Sequence, residues 1–67
     1  MLGKKLVALR MGKDFTRKFV VEELKKKGLN ISEQCLVNWE KDIYEPDLSD
    51  AVKLAEIYSV ELKALVG

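Results

Sequence analysis

The chain has 67 residues, 48 % apolar and 34 % charged, with a net charge of +1; this bounds it to one small globular domain and excludes a disordered chain. With no histidine and a single cysteine, Cys35, it can form no internal disulfide, zinc site, Cys–His pair or Ser–His pair. No apolar run is long enough to span a membrane and no signal peptide opens the chain, so a reducing, cytoplasmic setting is expected.

The small net charge conceals an asymmetry. Residues 1–29 carry nine Lys/Arg and three Asp/Glu, giving +6, whereas residues 30–67 carry three and eight, giving −5. This leaves room for a basic face, although Lys-rich solvated surfaces are common in small helical domains.

Alternating strand patterns, internal repeats and low-complexity segments are absent from the sequence. Five helical segments emerge instead. The first is predicted over about Lys4 to Met11, with Leu2, Leu6 and Leu9 as its apolar stripe and a break at Gly12, Lys13 and Asp14. Thr16 is the N-cap candidate of the second, with Phe15 before it and Phe19, Val20, Val21 and Leu24 at helical spacing. Lys25, Lys26 and Lys27 suit its C-terminus, where cations meet the negative end of the dipole, and Gly28 is the residue that ends it. These three lysines suit a solvated helix end and a phosphate-facing patch equally.

The third segment, Asn30 to Glu40, organises the rest. Asn30 reads as its N-cap, with Glu33 completing a pair resembling a capping box, and Ser32 is a second possible cap. Ile31, Cys35, Leu36 and Trp39 define an inward face, and Trp39 is expected to anchor the helix against the first, second and fourth. Cys35 reads as a half-buried small residue, with a redox sensor as the alternative. The other face offers Glu33, Gln34, Val37 and Asn38. Amides can pair with adenine in a DNA major groove, a carboxylate can accept from cytosine N4, and a small apolar residue can touch a thymine methyl. The same residues also make an ordinary polar helix surface.

A polar loop follows from Lys41 to Glu45, closed by Pro46. Asp47 or Ser49 starts a fourth helix running to about Tyr58, with Leu48, Ala51, Val52, Leu54, Ala55 and Tyr58 as a broad apolar face. After a break at Ser59 and Val60, Glu61 to Val66 form a short fifth helix through Leu62 and Leu65. Leu62, Leu65 and Val66 are expected to leave apolar surface for self-association. Glu22 and Glu23 are adjacent and diverge by about 100° on a helix. They are better read as solvated acids than as an acid/base pair, so no enzyme is expected.

Leu6-x-x-Leu9-Arg10, then Phe15-Thr16-Arg17, Ile31-Ser32 through Leu36, Trp39-Glu40, Pro46-Asp47-Leu48, and Leu54-Ala55-Glu56-Ile57-Tyr58-Ser59-Val60 with Leu62 and Leu65 form one spaced pattern. Over nearly the whole chain this pattern resembles the Cro/C1-type helix-turn-helix family, the lambda-repressor-like (XRE) DNA-binding domains of phage and bacterial regulators. The resemblance implies an all-α, compact five-helix domain with a helix-turn-helix whose second helix is extended. There are two departures. Lys25 to Leu29 add five residues before the recognition helix, as in some phage repressors of low-GC Gram-positive hosts. Arg17 stands where the family prefers Gln.

By this resemblance the chain is a sequence-specific regulator of transcription, a phage- or mobile-element-type repressor that binds operator DNA as a homodimer with its third helix in the major groove. Glu33, Gln34, Val37 and Asn38 would face bases, and Thr16, Arg17, Lys18 and Lys41 would hold phosphates, with Lys25, Lys26 and Lys27 flanking the duplex. Arg10 and Glu40 would form a bracing ion pair. The setting would be the nucleoid, with no cofactor, metal or small-molecule ligand. The alternative is the same fold used for protein contacts, as in antitoxin-like or anti-repressor modules.

Overall fold

Five helices follow one another without a strand among the described residues: α1 (Leu2–Gly12), α2 (Arg17–Lys26), α3 (Glu33–Glu40), α4 (Leu48–Ile57) and α5 (Leu62–Val66). The computed structural model describes residues 2–66, and residue 66 by its backbone alone. α3 packs on α1 and α2, α2 on α4, and α5 on both α4 and α1. Trp39 is buried in the core at the end of α3, the helix that packs on α1 and α2. The molecule is nearly isometric, 25 × 24 × 23 Å.

The core is Leu6, Val20, Leu24, Leu36, Trp39, Ala51, Leu54, Ala55, Tyr58 and Leu65. Leu2, Leu9, Phe15, Val21, Leu29, Ile31, Cys35, Ile57, Val60 and Leu62 pack around it half-buried. Three residues depart from the expected pattern. Leu48 and Val52 do not belong to the apolar face of α4; they are 67 % and 38 % exposed. One turn apart, they lie on the flank of the helix, off the line of Ala51, Leu54, Ala55 and Tyr58. Leu65 is not an exposed patch but part of the core, and Leu62 packs against it. The C-terminal apolar surface expected for self-association is therefore largely consumed within the domain, and the Val66 side chain lies outside the described residues.

Helix starts follow local chemistry in two cases. The Thr16 hydroxyl accepts from the Phe19 N–H at 3.0 Å, and the Ser32 hydroxyl from the Cys35 N–H at 3.1 Å. Ser32, rather than Asn30, is the cap of α3; Asn30 lies outside the helix, and Ile31 uses the N′ position to pack on the core that contains Leu36. α1 begins at Leu2, earlier than its sequence predicts. Its Gly3 N–H donates to Asp42 Oδ1 at 2.9 Å, a cap supplied from 39 positions away.

α1, α2, α3 and α4 all end in the same way. In α2 the Gly28 N–H donates to Lys25 O and the Leu29 N–H to Leu24 O, the paired bonds of a Schellman turn. The same pair of bonds closes α1 at Asp14 and Phe15, α3 at Asp42 and Ile43, and α4 at Ser59 and Val60. Gly28 has φ +89°, whereas Asp14, Asp42 and Ser59 adopt the left-handed conformation with φ of 56°, 60° and 58°. Short polar side chains tolerate this region better than bulky ones.

Candidate nucleic-acid interface

α3 divides cleanly. Leu36, Trp39 and Glu40 are buried, Val37 and Asn38 are half-buried, and Glu33 and Gln34 are exposed. The Gln34 amide donates from Nε2 to Asn38 Oδ1 at 3.1 Å, so the two amides share one exposed stripe one turn apart. The hydrogen bond orients both and can be exchanged for base edges, because each amide carries further donors and acceptors. Glu33 sits in the first turn of the helix, where a carboxylate is favoured by the dipole.

Glu40 ends α3 and is the one buried charged side chain among the described residues, 1 % exposed. Its Oε2 accepts from Arg10 Nε at 2.7 Å, and its Oε1 accepts from Arg10 Nη2 at 3.3 Å and from Arg17 Nε at 2.9 Å. Arg10 Nη1 also donates to Phe15 O at 3.1 Å, tying the α1–α2 turn to the same node. The Arg10–Glu40 brace is thus present as a two-pronged pair. The contact with Arg17 is one that sequence reasoning missed. The available signal was a cation in the first turn of a helix, where the dipole opposes it unless an acid lies nearby.

The basic residues expected at phosphates fall at two places. Arg17 and Lys18 open α2 behind the Thr16 cap, and Lys41 is the C-cap of α3. The Arg17–Glu40 contact brings the first turn of α2 against the last turn of α3, so Arg17, with Thr16 and Lys18 beside it in the chain, stands at the end of α3 that Lys41 caps. Lys25, Lys26 and Lys27 lie at the opposite end of α2. Lys25 and Lys26 are helical and Lys27 caps, leaving residues 27–32 as the connection to α3. Lys26 Nζ lies 3.0 Å from Glu23 Oε2 and Lys27 Nζ 3.0 Å from Glu56 Oε1. Both are exposed pairs of little energetic weight, readily given up to a phosphate. Cys35 is a half-buried free thiol.

Behind the ion-pair node, the Tyr58 hydroxyl is buried and has no hydrogen-bond partner among the described residues. Burial, and next the Glu40 carboxylate, push this hydroxyl far above the ordinary phenol range, while Arg10 pulls the other way.

Two consecutive short helices, α2 and α3, packed on each other and joined by residues 27–32 within a five-helix domain, are consistent with a helix-turn-helix. The chain matches an HTH-type transcriptional regulator. That relative is ImmR of Bacillus subtilis (strain 168), 35 % identical over 66 residues, which are 98 % of this chain and 48 % of the relative. The chain therefore spans about half the length of the curated relative it matches. No family model matches the chain, and no solved structure matches it significantly. The matched stretch is long enough to span all five helices. No helix among the described residues is long and apolar enough to cross a membrane.

Proposed function

We propose that this domain binds duplex DNA sequence-specifically as a transcriptional repressor of the Cro/C1 type, with α3 in the major groove. Glu33, Gln34, Val37 and Asn38 read base edges; Thr16, Arg17, Lys18 and Lys41 bind phosphates, and Lys25, Lys26 and Lys27 add contacts along the flank. The single observation that carries this reading is the mutually oriented Gln34–Asn38 pair on the exposed stripe of α3. Long solubilising side chains would serve a plain surface better. The likeness to an HTH-type transcriptional regulator supports the same reading.

Two copies on paired half-sites belong to the proposal, since operator symmetry commonly mirrors that of a dimer. The protein-contact alternative draws on a different surface, where Ile43, Tyr44 and Leu48 are each more than half exposed.

The test is selection of bound sequences from random duplex DNA, followed by affinity measurements across salt concentrations. A short enriched motif, with log affinity falling linearly with log salt, supports the proposal. Absence of enrichment refutes it and leaves the protein-contact alternative as the better account.

A further inference from the structure

We infer that Glu40, though buried, is a positioning residue for DNA binding that holds Arg17 as a pre-aimed phosphate clamp. The inference rests on the DNA-binding reading above and adds a residue that cannot itself touch the duplex. Arg17 opens α2, where the helix dipole repels a cation, so the helix alone would not fix its guanidinium there. Glu40 Oε1 fixes it instead, accepting from Nε at 2.9 Å. Only the inner nitrogen of Arg17 is engaged by this bond. The four N–H groups on its terminal nitrogens form the remaining edge of a rigid fork, and the side chain is 40 % exposed. That edge matches two phosphate oxygens, and it lies beside the Thr16-capped N-terminus of α2, itself a favourable place for an anion.

Arg10 completes the device. It grips Glu40 through two nitrogens while its third holds Phe15 O, so the carboxylate is fixed from behind and cannot swing out with Arg17. The three charged groups sum to one positive charge, and Arg17 is the most exposed of them. Where the resembling family prefers a glutamine at this position, the present chain has a cation and an internal acid to hold it.

The test turns on a sign. Removing a carboxylate near DNA should strengthen binding if Glu40 acts only through its charge. If it positions Arg17, removal should weaken binding. Parent, Glu40→Gln, Arg17→Ala and the double variant are each titrated with the selected operator and with random duplex across a salt series. Folding is checked by far-UV circular dichroism. Glu40→Gln is expected to bind both duplexes roughly tenfold more weakly, the loss of one charge-assisted contact, and to have no such effect in the Arg17→Ala background. Arg17→Ala should lower the log–log salt slope by about 0.9.

Arg17→Lys keeps the test decisive should Glu40→Gln not fold. One ammonium cannot serve both Glu40 and a phosphate edge-on, so this variant should also bind on the order of tenfold more weakly. A folded Glu40→Gln that binds as well as the parent or better overturns the inference, as does parent-like binding by Arg17→Lys. Either result leaves DNA binding intact, because the parent still binds. A parent that binds no duplex at all overturns the DNA reading and the inference with it.

Discussion

Gly3→Ala and Gly12→Ala alter the same helix and should shift stability in opposite directions. Helix propensity alone predicts that both gain, since alanine exceeds glycine by up to about 1 kcal/mol in a helix. At Gly12 an added Cβ meets nothing within 4 Å, and a gain of about 0.5 kcal/mol is expected. At Gly3 the Cβ would stand 2.4 Å from the Glu40 carbonyl oxygen, 2.9 Å from its carbon and 3.0 Å from Asp42 Cγ. Two of these are backbone atoms at the end of α3, so the start of α1 must retreat by about 1 Å to reach ordinary contact distance. Overpacking of this kind costs ~1–3 kcal/mol. Moving α1 also stretches the Gly3–Asp42 cap, worth about 1 kcal/mol. Against the propensity gain, the net expectation is a loss of ~2 kcal/mol and a fall in Tm of roughly 8–16 °C. Urea denaturation followed by fluorescence of Trp39, the single tryptophan, measures both variants. A Gly3→Ala protein as stable as the parent would show that α1 and α3 do not approach so closely, and would undo the packing that supports the Arg10–Glu40 node.

Three further outcomes follow from the same geometry. Glu40→Ala should destabilise the fold by ~3 kcal/mol, because Arg10 is left half-buried with a single carbonyl partner; in a double-mutant cycle with Arg10→Ala the two should couple strongly, and a coupling near zero contradicts the brace. Replacing Lys25, Lys26 and Lys27 together with Gln should barely change stability, since their ion pairs are exposed. It should flatten the salt dependence of DNA binding by up to about 0.9 per lost phosphate contact, and an unchanged slope would assign these lysines to solubility alone. Finally, the unfolded chain ionises Tyr58 above about pH 10 while the folded chain keeps its proton, so folding binds the extra proton and stability falls as pH rises beyond 10. Tyr58→Phe should lose less stability than the parent between pH 9 and about 11, and equal losses would argue that the hydroxyl ionises freely in the fold.

Five helices, the Thr16 cap, the Gly28 terminus and most of the core were legible in the sequence, because each is written in residues close together in the chain. The Asn30 cap was misread because two acceptable caps lie two residues apart. Only the path of the chain out of the Leu29 turn decides in favour of Ser32. Of the contacts that join distant segments, the Arg10–Glu40 brace was expected, through the family resemblance, and the others were not legible. Asp42 capping α1, Gly3 admitting the end of α3, and Arg17 sharing Glu40 each depend on how helices cross. Leu48 and Val52 show the limit of periodicity: both fit an apolar face by spacing, yet a helix packed on one side leaves its flank in water. The amide stripe was visible as a helical face, but the hydrogen bond orienting Gln34 toward Asn38 was not.

Base reading by α3 is tested most directly by profiling Gln34→Ala, Asn38→Ala and Arg17→Ala over every single-base change in the selected operator. An amide–adenine pair discriminates by ~1–3 kcal/mol at one base pair, whereas a phosphate contact is indifferent to sequence. The two amide variants should each relax preference at a particular position while remaining folded, and Arg17→Ala should weaken binding to all sequences alike. If both amide variants retain the parent preference at every position, α3 does not read the operator.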